Sequence, residues 1–138
     1  MKGLGTLVRL RKWELEEKRR KLAELEALAG QLDETIARLD DELVLERNFA
    51  ANDPLVSFSY PAYAQAAIER RRKLKASADE VRQQIEEAKA EVTVAYQELK
   101  KYEVARASRV RRAQQEEDRR ETIRLDEIGV ESFRRRPN

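Results

Sequence analysis

Between Leu15 and Leu43 the apolar residues Leu15, Leu22, Leu25, Ala29, Leu32, Ile36, Leu39 and Leu43 keep to steps of three and four, interrupted only by Lys18. This heptad spacing draws one narrow stripe along a helix, and such a stripe requires a second helix to cover it. The cover lies later in the chain, at Leu74, Ala78, Val81, Ile85, Ala88, Val92, Ala95, Leu99 and Tyr102. With 41% charged and 6% aromatic residues in 138, the chain suits long helices that bury a stripe and leave the rest in water. The expected fold is therefore all-α: two long, unequal helices in an antiparallel coiled-coil hairpin, the second overhanging the first.

Boundaries follow from the breaks in the pattern. The first helix is expected over about 6–48 and a loop over about 49–60, where Pro54, Pro61, Asn48, Asn52 and several aromatics gather. Pro61, preceded by Ser59 or Tyr60 as cap, is expected to open a second helix reaching about 122, before a flexible tail over about 123–138. The whole reads as a single helical-hairpin domain. Folding the chain about Leu55 sets Leu43 opposite Ala67, Ile36 opposite Leu74, Leu32 opposite Ala78, Leu25 opposite Ile85 and Val8 opposite Tyr102. Large residues then mostly face small ones, which lets the helices approach closely. Two seam positions on the first helix are polar: Lys18 is expected beside Glu91, and Arg11 beside Leu99 and Glu98. Their long stems cover the stripe, or their charges fix register and pairing.

Composition excludes several chemistries. Cysteine and histidine are absent, which removes disulfides, thiolate or imidazole metal sites and the common nucleophile–base pairs. Asp40-Asp41-Glu42 and Glu116-Glu117-Asp118 read as solvated helix faces, because two helices offer no pocket in which to desolvate an acid. No catalytic residue, metal or cofactor is expected. No apolar run reaches the ~18 residues of a membrane span, and the N-terminus lacks the apolar core of a secretion signal. A cytoplasmic protein without direct membrane insertion is expected. The hairpin covers its own seam, so the free chain is expected to be a monomer. Net charge is +2, but residues 106–138 hold ten Arg against seven acids. Interleaved acids and few aromatics argue against nucleic acid. At the turn, Phe49, Phe58, Tyr60 and Tyr63 either cap the open end of the seam or form a docking surface.

The chain resembles the FliJ family of flagellar type III export proteins over nearly its full length. The resemblance rests on Leu4-Gly5-Thr6-Leu7-x-x-Leu10, on Tyr60-x-x-Tyr63 at the head of the longer helix, and on Leu125-Asp126-Glu127-Ile128 followed by Phe133-Arg134-Arg135. It implies a non-enzymatic component, similar in shape to the coiled coil of the F-type ATPase gamma subunit, that inserts into the hexameric export ATPase and also contacts the membrane export-gate protein. Export chaperones are a further candidate partner class. By the same resemblance Leu4, Val8, Arg11, Tyr102, Arg106 and Arg109 would meet the ATPase ring. Tyr63 and Ala67, with Tyr60 and Ile68 beside them, would meet the gate, although Ala67 is small where the family pattern suggests a bulkier residue. The protein would then be cytoplasmic and peripherally associated with the membrane-bound export apparatus. A virulence-type III secretion stalk shares this plan, and an adaptor coiled coil unrelated to secretion shares the composition.

The seam itself gives the first prediction. Leu25→Asp places a charge in the stripe and is expected to abolish the cooperative helical signal in circular dichroism; a melt like that of the parent would refute the seam assignment.

Overall fold

The structure, a computed structural model, describes residues 2–135. Among them are two α-helices and no strand: α1, Lys2–Asn52, and α2, Pro54–Arg134. Both are built largely from Ala, Leu, Glu, Lys, Gln and Arg, the residues that lose least on entering a helix. All glycines keep negative φ, so Gly3, Gly5, Gly30 and Gly129 continue their helices instead of ending them.

The turn is far shorter than the 49–60 loop expected. Only Asp53 stands between the helices, and it serves both. Its amide donates to the Phe49 carbonyl at 3.0 Å, closing α1, and its carbonyl accepts from the Ser57 amide at 2.9 Å, opening α2. Its carboxylate Oδ1 accepts from the Leu55 amide at 2.9 Å. This is an N-cap, with Pro54 at the first helical position, where no N–H is needed. Of two prolines with the same local signature, the chain uses the one preceded by the better capping residue. Pro61 instead lies inside α2, where it withholds the N–H that would have met the Ser57 carbonyl.

The expected flexible tail is also corrected. α2 continues through Arg134, and the Arg135 amide donates to the Glu131 carbonyl at 3.1 Å. Ion pairs one turn apart line this stretch: Glu116 with Arg119 and Arg120, Glu121 with Arg124, and Glu131 with Arg135. Such exposed pairs add little individually, but none opposes the helix. Arg136 and Pro137 lie outside the described residues.

The chain divides into two compact units. The first, Glu14–Ala95, holds the turn and most of the seam. Leu15, Leu39, Ala67, Ala78, Val81 and Ala88 are buried, while Leu22, Leu25, Leu32, Ile36, Leu43, Leu74, Ile85 and Val92 are half-buried. Two helices shield a stripe from two sides only, so half-burial is the rule. Cross-helix ion pairs report the direction of packing: Lys18 and Lys21 reach Glu91 at 3.4 and 3.7 Å, Asp33 meets Arg82 at 2.7 Å and Asp40 meets Arg71 at 2.7 Å. Partner numbers fall on α2 as they rise on α1, as antiparallel packing requires. These pairs are all substantially exposed and worth at most ~1 kcal/mol apiece, so they align the helices while the seam binds them.

The second unit comprises residues up to Trp13 with those from Tyr96 onward. Its core is small: Val8 and Leu99 are buried, and Leu4 and Tyr102 are half-buried. The Arg11 guanidinium lies over the Tyr102 ring, 5.1 Å from its centre, so the expected polar seam position is taken up by a cation–π contact. From Val104 to Arg135 every residue except Ser108 and Glu116 is exposed. This is the overhang.

Two substitutions test the helix-level account by urea unfolding. A Cβ at Gly30 meets nothing within 4 Å, so Gly30→Ala is expected to stabilise the chain by about 1 kcal/mol. Asp53→Ala removes the cap and is expected to destabilise it by about 1 kcal/mol, with Asp53→Asn close to neutral.

Candidate interaction surfaces

A seam that closes within one chain leaves its outward side chains for partners. Around the turn, large apolar residues stand open, among them Leu45 at 57% exposure, Phe49 at 60%, Leu55 at 83% and Phe58 at 91%. These values bear on the capping reading of the two phenylalanines. Phe49 and Phe58 do not cap the seam; they face solvent.

The four residues expected at a gate contact divide. Tyr63 and Ile68 are exposed, Tyr60 is half-buried, and Ala67 is buried. Ala67 is buried on the seam and presents no surface. The Tyr63 phenol is pushed above its ordinary value of 10.0, first by partial loss of solvent and then by Glu42, Glu46 and Tyr60. Glu42 and Glu46 come from the last turns of α1, so both helices build this patch. Leu45 was not anticipated, unlike the Phe49 one turn after it. Their spacing of four was the available signal, since it sets both on one helix face.

In the terminal unit the expected residues divide as well. Val8 is buried and belongs to the core. Arg11 and Tyr102 contact each other. Leu4, Arg106 and Arg109 line an open groove, joined by Thr6 and Arg9 of α1 and Val110 of α2. Arg9 and Val110 were not anticipated, because neither falls on the seam. Nearby, Lys100 bonds Glu103 at 3.2 Å, and that hydrogen bond raises the lysine's pKa.

The acidic runs have local partners. Asp40 meets Arg71, and Glu116 accepts from Arg119, a hydrogen bond that holds its carboxyl below the usual range. Among the described residues no group of three or more acids is placed to hold a metal ion, and no helix is long and apolar enough to cross a membrane.

Residues 1–138, the whole chain, match the family model described as Flagellar FliJ protein. No curated protein and no solved structure gives a significant match.

The Tyr63 environment is testable by alkaline titration. A phenol whose folded pKa is raised favours folding while protonated. Its contribution is thus intact below pH ~10 and lost as pH rises further. Tyr63→Phe is expected to remove the last-ionising part of the phenolate absorbance, and Glu42→Gln with Glu46→Gln to move that part to lower pH. Loss from the early part of the curve in Tyr63→Phe, with the last-ionising part intact, would put the phenol in ordinary solvent.

Proposed function

The chain belongs to the flagellar FliJ family, and on that premise we propose that it is the coupling component of the flagellar export apparatus, binding the hexameric export ATPase and the membrane export gate. It is a structural component in this reading, with nucleotide hydrolysis carried out by the ATPase. The terminal unit seats in the ATPase ring, using Leu4, Arg106 and Arg109 as contact residues with Arg11 and Tyr102 behind them. The turn contacts the gate through Tyr63, Tyr60 and Ile68, with Phe49 and Phe58 extending the apolar surface. The protein then works in the cytoplasm, held at the membrane through the gate, with export chaperones as further partners.

The observation that carries this reading is the separation of seam from exposed anchors. Seam residues such as Leu15, Val81 and Leu99 are buried within the chain. Exposed Phe49, Phe58 and Tyr63 stand near the turn, and in the terminal unit Arg9, Arg106 and Arg109 line a groove, with Trp13, Tyr96 and Phe133 exposed in the same unit. Each surface can engage a partner without unfolding the seam.

Tyr63→Ala is expected to leave helicity intact and to weaken capture of the export gate's soluble domain at least tenfold, as loss of an interface anchor does. Adding the parent chain to purified export ATPase should raise hexamer formation and hydrolysis. Gate capture unaffected by Tyr63→Ala would remove the turn assignment; an ATPase indifferent to the added chain would remove the coupling role.

A further inference from the structure

The acids of this chain are unevenly placed. None falls in the first 13 residues or between Val104 and Gln115, yet these two stretches hold eight of the 29 cations. The rest of the chain carries 21 cations against 27 acids, so it is net negative. Both acid-free stretches belong to one compact unit. There they border a single open groove of about 690 Å³, with Arg9 on one wall and Arg106 and Arg109 on the other. Between the guanidiniums the lining is apolar or small: Leu4, Thr6 and Val110. No carboxylate lines it.

We propose that this groove is an acidic-segment receptor: it takes a stretch of partner chain bearing two or more carboxylates beside an apolar side chain. The inference rests on the reading that the terminal unit meets the export ATPase, and it names the chemistry of that contact. Three features select the occupant. The cations between Val104 and Gln115 are all arginine, whose planar fork grips a carboxylate through two parallel hydrogen bonds, whereas lysine acts as a point charge. The apolar lining would be left uncovered by a bare phosphate but matches a peptide that alternates charge with apolar groups. The groove is also recessed between two helices, which suits an inserted segment better than a flat lipid surface. Charge of one sign lining such a recess raises the encounter rate and makes binding fall with salt.

The test uses the full chain and a six-residue peptide alternating Glu and Leu as probe, with binding followed calorimetrically at two salt concentrations. Arg9→Gln with Arg106→Gln is expected to weaken the peptide at least tenfold, while Arg119→Gln with Arg120→Gln, outside the acid-free stretches, leaves it unchanged. All four positions are exposed, and helicity by circular dichroism checks that folding survives. Equal weakening by both pairs would overturn the groove in favour of diffuse charge. Tighter binding to phosphatidylglycerol vesicles, lost in the Arg9/Arg106 variant, would overturn it in favour of a lipid surface. The same variants are then added to the export ATPase. If the Arg9/Arg106 variant binds the ATPase as the parent does, the groove is refuted and the ring reading stands. If the parent binds the peptide through the groove but not the ATPase, the groove stands and the ring reading falls.

Discussion

Everything in this molecule depends on one strip of apolar contact between α1 and α2. The chain is 41% charged, so it has no material for a second layer, and each helix offers a single face that must be hidden. Two helices hide such a face only in part, which is why Leu22, Leu25, Leu32 and Ile85 stay half-buried and why the most buried positions include the small Ala78 and Ala88. Alanine at these places lets the backbones draw together until their larger neighbours close over the gap. The ion pairs beside the strip contribute alignment more than cohesion, since all of them face water.

A strip that is satisfied internally separates stability from recognition. Side chains that hold the helices together, such as Leu15 and Val81, are withdrawn from partners. The exposed Phe49, Phe58 and Ile68 have little role in holding the helices together. Substitutions in the two groups should therefore have distinct signatures, one in the melting curve and the other in binding. The same logic applies to the arginines of the terminal unit, whose neighbourhood contains little core to disturb.

The seam was legible in the sequence because spacing is a one-dimensional signal, and residues from Val8 to Leu43 and from Ala67 to Tyr102 lie where the spacing puts them. The turn was not legible in the same way. Pro54 and Pro61 carry the same local message, and the choice between them depends on the Asp53 carboxylate reaching the Leu55 amide, a matter of three-dimensional geometry. The tail was misread because its apolar residues follow no stripe, although local propensity and pairs such as Glu131 with Arg135 are sufficient for helix. The surfaces were half legible: Phe49, Phe58, Tyr63 and Arg106 stand out by residue type, whereas Arg9 and Leu45 acquire meaning only once the other helix is beside them. Ala67 shows the converse, a residue assigned to recognition by resemblance and to packing by its burial.

The polar positions of the seam have one more consequence. Lys18 and Arg71 each stand on the stripe and find a carboxylate on the opposite helix, Glu91 and Asp40, while Arg11 finds the face of Tyr102. These complementary partners exist only when the two helices run in opposite directions. Were two copies to lie side by side in parallel, Arg11, Lys18 and Arg71 would each confront its own image, setting like charge against like along the half-exposed stripe. Within one chain, by contrast, each cation that interrupts the stripe meets a carboxylate or an aromatic face.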